Sequence, residues 1–312
     1  MLKTCLLLIF NLLYYIIIIT QYQIMRKKPL AKSGFISLIG RSNVGKSTLL
    51  NALIGTKIAA VTEKPQTTRN NIHGVLNTES GQAVFVDTPG IFKHKKSLMS
   101  SILLKRAREA MQDINLILYV VDPSKQIGAE ERYSLSLLRK TEMPKILIIN
   151  KSDLAEKEKK YLEDYRELGS EFQSVFVLSA LKLRHLKPLL DKIFELLPAG
   201  EPYYEAGQLT NLTSKNWIAE IIREKIFNSL RQEVPYSTHV EVEQIEEKPT
   251  ITVIEATIFT NNSHYKKIII GQQGRTIKNI GASARKELEI ALNKKVYLSL
   301  EVETDKHWEK RV

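Results

Sequence analysis

The chain is nearly devoid of cysteine. Cys5 is the only one in 312 residues, so neither a disulfide framework nor a cysteine-based zinc site can be built, as suits a reducing compartment. Acidic residues are the minority charge: 34 Asp and Glu stand against 46 Lys and Arg, giving a formal net charge of +12 and a pI of about 9.5. That balance fits a polyanionic partner, either nucleic acid or an anionic membrane surface. No apolar run reaches the roughly 20 residues that a membrane helix needs; Cys5 to Ile19 is fifteen residues long and is interrupted by Asn11. No small-residue cleavage site follows it, so a secretory signal fits poorly. Met25-Arg26-Lys27-Lys28 then looks like an ordinary protein start. Residues 1–29 are therefore expected to be an apolar extension that arises from an over-extended start in an AT-rich reading frame. Were it translated, the Arg26-Lys27-Lys28 cluster would keep the body on the cytoplasmic side and tether it to a membrane.

What is present is more telling. A hydrophobic content of 43% over this length supports two cored domains. Gly40-Arg41-Ser42-Asn43-Val44-Gly45-Lys46-Ser47 matches G-x-x-x-x-G-K-[ST], after the apolar run Phe35–Ile39 and before Thr48-Leu49-Leu50-Asn51-Ala52-Leu53. The context is strand, loop, helix, which makes the pattern a phosphate-binding loop. Backbone N–H groups between the glycines and at the helix N-terminus suit phosphate oxygens. Lys46 is expected to reach the β- and γ-phosphates, and Ser47 to bind Mg²⁺.

Two later segments choose the base. Lys145–Ile149 reads as a buried strand that ends in Asn150-Lys151-Ser152-Asp153, the pattern N-K-x-D. The Asp153 carboxylate can accept from guanine N1–H and the exocyclic amine, donors that adenine does not place there, and a site of that kind discriminates by about 10⁴–10⁵. Ser179-Ala180-Leu181, after the apolar run Val175–Leu178, suits a backbone contact to the guanine O6. Between the phosphate loop and the base site lies Val84-Phe85-Val86-Asp87-Thr88-Pro89-Gly90, in which Asp87 is the expected second-sphere Mg²⁺ ligand and Gly90 follows the γ-phosphate through its N–H. Thr67 or Thr68, in Pro65-Gln66-Thr67-Thr68-Arg69, is expected to supply the metal with a hydroxyl. Five pieces in this order predict an α/β GTPase domain with a mostly parallel sheet over 30–198.

The glutamine that orients the attacking water in many such enzymes is missing; its position is Ile91. Hydrolysis is therefore expected to be slow. Asn43 is either a simple loop-stabilising amide or the substitute device, since related GTPases with an Asn at this loop position can hold a K⁺ near the phosphates; Lys46, Asn43 and Gly90 form the expected catalytic group.

Residues 199–213 read as a linker rich in Pro, Gly, Tyr and polar residues. Over 214–305 the pattern predicts an α+β domain: a helix Asn216–Leu230 capped by Ser214, strands Thr238–Ile245 and Thr250–Thr260, a G-x-x-G turn between two short helices, and a last strand Val296–Val302. The turn is Ile270-Gly271-Gln272-Gln273-Gly274-Arg275, followed by Ile277, Lys278 and Ile280. It matches the clamp by which KH domains hold about four single-stranded nucleotides. Ile269, Ile277 and Ile280 are expected to line the base groove, with Lys266, Lys267, Arg275, Lys278, Arg285 and Lys286 neutralising phosphates. The element order is that of the bacterial, type II KH variant. Residues 306–312 are a short tail.

A GTPase domain followed by one KH domain resembles the Era family of bacterial and organellar GTPases. The likeness covers about 30–305 and is strongest in residues 40–51, 64–69, 220–225, 234–237 and 270–281. It implies a GTP-controlled assembly and maturation factor of the 30S subunit that binds the 3′ end of 16S rRNA, with GTP or GDP and Mg²⁺ as ligands and K⁺ as a further one. A cytoplasmic monomer with peripheral contact to the inner membrane is expected. Three departures stand out: Ser42 where the family usually has Pro, Asn211-Leu212 in place of an acidic-basic pair, and a chain that stops at Val312, before the family's further helical tail. A membrane GTPase of the transport or division type is disfavoured by the KH pattern. An RNA chaperone with a degenerate nucleotide site is disfavoured by the intact Lys46, Ser47, Asp87 and Asp153. A tRNA-modifying GTPase would need catalytic cysteines or an extra helical domain.

Overall fold

The computed structural model describes residues 31–62, 64, 71–89 and 114–311, apart from the side chains of Lys310 and Arg311. The extension at 1–29, Thr67, Thr68, Gly90 and Ile91 lie outside the described residues.

The first domain is built on a sheet of β1 (Lys32–Ile39), β2 (Ile72–Thr78), β3 (Gly81–Asp87), β4 (Leu116–Val121), β5 (Lys145–Ile149) and β6 (Ser174–Val177), in the spatial order β2-β3-β1-β4-β5-β6. β2 and β3 pair antiparallel, and the other pairings are parallel. Strands covered on both faces carry no polar alternation, and every residue of Leu116–Val121 is accordingly buried. On one face α1 (Lys46–Ile54) and α4 (Leu186–Leu196) bury Leu50, Leu53, Leu189 and Ile193 against Ile36 and Phe85. On the other, α2 (Ala129–Leu138) and α3 (Leu162–Glu167) bury Leu135, Leu138 and Tyr165 against Tyr119 and Leu147. The strand order reverses at β1, and α/β sheets bind ligands beyond the carboxyl ends of the strands at such a point. The phosphate loop leaves β1 there.

The second domain runs α5 (Ser214–Ser229), β7 (Thr238–Glu247), β8 (Ile251–Thr260), α6 (Ser263–Ile270), α7 (Arg275–Leu292) and β9 (Lys295–Thr304). β8 is central, antiparallel to β7 and parallel to β9. Ile222 and Ile226 of α5 and Ala284 and Leu288 of α7 pack with Ile254 and Ile258 in one core. The order is that of the type II KH domain, as the pattern predicted. Two local expectations are corrected. Thr213, not Ser214, caps α5, its side chain accepting from Asn216 N–H at 3.3 Å. The helix after the turn is not short, spanning 18 residues. In the segment after β9, Trp308 is buried and stacks on His239.

The linker is also more ordered than its composition suggests. Gln82 accepts from the N–H groups of Tyr203 and Tyr204 and donates to the Tyr204 carbonyl, at 2.7, 2.9 and 2.9 Å. Val75 N–H donates to Leu209 O, and His73 N–H to Asn211 Oδ1, both at 2.9 Å. Residues 203–211 thus run along β2 and cover part of its exposed edge, where unpaired strand groups would otherwise face solvent.

Candidate nucleotide site and nucleic-acid clamp

β1 delivers Gly40 to the loop, and α1 begins at Lys46. Gly45 must be glycine for two reasons: its φ is +100°, and a Cβ would lie 2.3 Å from Asn150 Nδ2. Lys46 is 6% exposed and donates to Gly40 O and Arg41 O at 3.0 and 2.9 Å. Burial lowers its pKa to about 8, against the attraction of Asp87 and Glu131. Ser47 Oγ donates to Asp87 Oδ2 at 2.5 Å, and Asp87 is fully buried at the end of β3. A hydroxyl backed by a carboxylate at the mouth of a phosphate loop fits Mg²⁺ in the roles expected of Ser47 and Asp87. Among the described residues no group of three His, Cys, Asp or Glu could hold a metal by itself. Thr88 Oγ1 donates to Leu38 O at 2.8 Å and ties the D-x-x-G segment to β1.

Asn150 joins the two ends of the site. Its Nδ2 donates to Val44 O at 2.9 Å, and its Oδ1 accepts Ala180 N–H at 3.0 Å. The phosphate loop, N-K-x-D and Ser179-Ala180-Leu181 are thereby fixed against one another. Asp153 accepts from Ser179 Oγ at 2.5 Å, which holds the carboxylate in place, and Ser179 is itself buried. Leu181 is 69% exposed at the rim. Asn43 and Lys151 both adopt positive φ, 64° and 60°.

Two supporting residues went unnoticed in the sequence. Asp122, just after β4, accepts from Lys151 Nζ at 2.6 Å and from Ser124 N–H at 2.9 Å. Burial alone would raise its pKa, yet the bonds from Lys151 and Ser124 outweigh that and hold it low. Glu131, fully buried on α2, pairs with Arg41 Nε at 2.8 Å and accepts from Tyr119 OH at 2.7 Å. Burial raises its pKa despite these donors. No motif marks either residue; the acidic position directly after a strand that precedes N-K-x-D was the one available signal for Asp122.

The cavity between these loops measures about 1050 Å³ and is bounded by Arg41 to Gly45, Thr48, Asp122, Lys125, Asn150, Lys151, Asp153, Leu154 and Leu181. That is the upper end of the range for small-molecule pockets, about 300–1,000 Å³. Val61, Thr62 and Lys64 line it as well, and so do Phe227 and Asn228 of the second domain. The stretch 57–64 is bound closely to that domain. Trp217 Nε1 donates to Lys57 O at 3.0 Å, Val61 N–H to Glu224 Oε2 at 2.8 Å, and Lys64 Nζ to the carbonyls of Phe227 and Leu230. Lys57 Nζ pairs with Glu224 at 2.7 Å and with Glu287 of α7 at 2.5 Å; Lys225 pairs with both acids.

In the second domain, Gly271 has φ +75°, and a Cβ there would sit 2.2 Å from Thr276 Oγ1. Gly274, φ +73°, faces open space, which leaves room for another backbone to approach. Gln272, Gln273, Arg275 and Lys278 are exposed in and just after the turn, Arg285 is exposed further along α7, and Ile270 and Ile277 are half-buried beside the turn. The N-terminus of α7 begins at the same place, and a helix N-terminus is a favourable site for phosphate. Ile269 and Ile280 are corrected: both are fully buried in the core and support the turn from beneath, so they cannot line a surface groove.

Comparison with known proteins agrees with this geometry. A family profile described as 50S ribosome-binding GTPase matches residues 35–151, and a KH domain profile matches 233–309. GTPase Era of Heliobacterium modesticaldum is 43% identical over 283 residues, 90% of this chain and 94% of the relative. GTPase Era of Carboxydothermus hydrogenoformans is 42% identical over 280 residues, 89% and 94%. A crystal structure of Era with MgGDPNP and nucleotides 1506–1542 of 16S ribosomal RNA superposes with a TM-score of 0.83 at 34% identity, over 90% of this chain and 96% of that one. A single-site variant of Aquifex aeolicus Era bound to GDP·AlF4⁻ gives the same values. With a guanine-type site on one domain, a KH turn on the other and relatives of this identity along nearly the whole chain, the protein belongs to the Era family of GTPases.

Proposed function

We propose that this protein is a GTP-operated switch on RNA binding that takes the 3′ end of 16S rRNA in its KH turn and acts in rRNA processing and 30S subunit assembly. One observation carries the reading: a single helix, α5, belongs to the KH core and also contributes Phe227 to the wall of the nucleotide cavity. The relative solved with MgGDPNP and nucleotides 1506–1542 of 16S rRNA supports the choice of RNA.

When nucleotide binds, Lys46 would leave the loop carbonyls for the β- and γ-phosphates, where the anion favours its charged form. Asp153 selects guanine, and the backbone of Ser179-Ala180-Leu181 suits a contact to its O6. Ser47 and Asp87 would hold Mg²⁺, which neutralises developing phosphate charge when bound. Thr67 or Thr68 would complete that set, and Gly90 would follow the γ-phosphate. Ile91 cannot orient water, so turnover is slow, and Asn43 would hold a K⁺ that would supply the missing positive charge. The clamp comprises Ile270 to Arg275 with Ile277, Lys278 and Arg285; Ile280 acts by supporting it. The cationic excess also supports peripheral contact of a cytoplasmic monomer with an anionic inner membrane surface. Among the described residues no helix is long and apolar enough to cross a membrane.

The test is binding of a 16S rRNA 3′-end fragment against a scrambled RNA of equal length. Specific binding that is lost in Gly274→Asp, with GTP affinity retained, is expected. Equal binding of both RNAs would overturn the assignment.

A further inference from the structure

We propose that Glu224, a residue of the KH domain, is a positioning residue for GTP hydrolysis, and that its partner Glu287 carries the influence of bound RNA to the same place. The second half rests on the functional reading above; the first does not.

Glu224 lies on α5 and is 4% exposed. One carboxylate oxygen accepts the backbone N–H of Val61, and the other takes Lys57 Nζ. Both partners belong to the GTPase domain, in the run between α1 and β2. That run is held firmly at its near end, where Asn51 of α1 bonds Ile58 N–H, Ala59 N–H and Ala59 O through its side chain. Beyond Ala59, the bond to Glu224 and the Lys64 contacts at the end of α5 set the path of the chain. Val61, Thr62 and Lys64 form the wall of the nucleotide cavity on that side, and Phe227, one turn beyond Glu224, completes it. Glu224 thus fixes a cavity wall without reaching the cavity itself. Displacing groups around a reacting centre by about 1 Å can cost as much as 10²-fold in rate.

The link to RNA is a shared pair of lysines. Lys57 and Lys225 each bridge Glu224 to Glu287, and Glu287 lies on α7, the helix whose first residue follows the G-x-x-G turn. A charged cluster partly shielded from solvent, as this one is, is sensitive to small displacements of its members. A shift of α7 on binding RNA alters the share of each lysine left for Glu224, and with it the hold on Val61. By reciprocity of binding linkage, nucleotide alters RNA affinity through the same four side chains.

The experiment uses the full chain and steady-state GTP hydrolysis with and without the 16S rRNA 3′-end fragment. Glu224→Ala is expected to lower kcat about ten-fold while KM for GTP stays within about two-fold, since the base and phosphate contacts are untouched. Glu224→Gln keeps an acceptor for Val61 N–H and should fall about three-fold. Glu287→Gln leaves the Val61 bond in place; GTP turnover alone should stay within about two-fold, but the effect of RNA on it should vanish. GDP affinity and nucleotide-free RNA affinity report folding of the two domains, and Glu224→Gln decides the matter if Glu224→Ala fails either. Wild-type kcat in Glu224→Gln and in every folded Glu224→Ala sample overturns the positioning role. An undiminished RNA effect in Glu287→Gln overturns the link. Failure of the wild-type chain to bind the rRNA fragment would instead refute the functional reading, and the RNA-free kcat comparison would still decide the role of Glu224.

Discussion

Replacing Asn150 by alanine removes two buried hydrogen bonds, to Val44 O and from Ala180 N–H. Both abandoned groups stay out of solvent, since Val44 is 1% exposed and Ala180 2%. A buried backbone group left without a partner costs about 1–3 kcal/mol, so the pair together costs about 2–4 kcal/mol if water entering the space recovers part. For a domain of this size each kcal/mol lowers Tm by about 2–4 °C, which puts the nucleotide-free midpoint about 5–15 °C down. Binding suffers too, because Asn150 is the tie between the loop that takes phosphate and the loops that take the base. A nucleotide must then impose that alignment itself, which should weaken affinity about ten-fold or more. The loss should be the same for GTP and GDP, since the tie concerns features that both share. Thermal unfolding and titration with fluorescent GTP and GDP analogues measure all three quantities. An unchanged Tm with unchanged affinities would contradict the argument, as would weakening confined to GTP.

Other outcomes follow from single observations. Lys46 loses its proton as pH rises through about 8, whereas an unfolded lysine keeps it to about 10.5. Between those values the unfolded chain holds more protons, so the Lys46 contribution makes stability rise with pH there. Nucleotide should recharge Lys46, so calorimetry at about pH 8.5 in buffers of different ionisation enthalpy should show proton uptake on GTP binding, and Lys46→Met should show none. Turnover should be faster in KCl than in NaCl at equal ionic strength; equal rates would exclude the K⁺ role of Asn43. Gly45→Ala should abolish nucleotide binding, because its Cβ and Asn150 Nδ2 cannot share the space; near-native affinity would mean that the loop can open without penalty.

The parts of the site that could be read from sequence are those encoded in consecutive residues. The phosphate loop, Asp87, N-K-x-D and Ser179-Ala180-Leu181 each combine a strand end with a short run of defined chemistry, so residue types alone announce them. Asp122 and Glu131 escaped because they act through partners 29 and 90 positions away, Lys151 and Arg41, brought close only by the parallel sheet. The docking of 203–211 was hidden for a similar reason: it uses backbone groups and one glutamine, which no periodicity reports. Ile269 and Ile280 show a different limit. The sequence marks both as aliphatic, but whether each faces a core or a ligand depends on the sheet behind its helix. Here β8 and β9 lie behind, and both residues are core.

The switch reading stands or falls on the affinity for the 16S rRNA 3′-end fragment measured with a GTP analogue, with GDP and without nucleotide. Tighter binding with the GTP analogue than with GDP, about ten-fold as a coupling of about 1–3 kcal/mol allows, is the expected result. Identical affinities in all three states would mean that the nucleotide site and the KH turn share a chain without controlling one another.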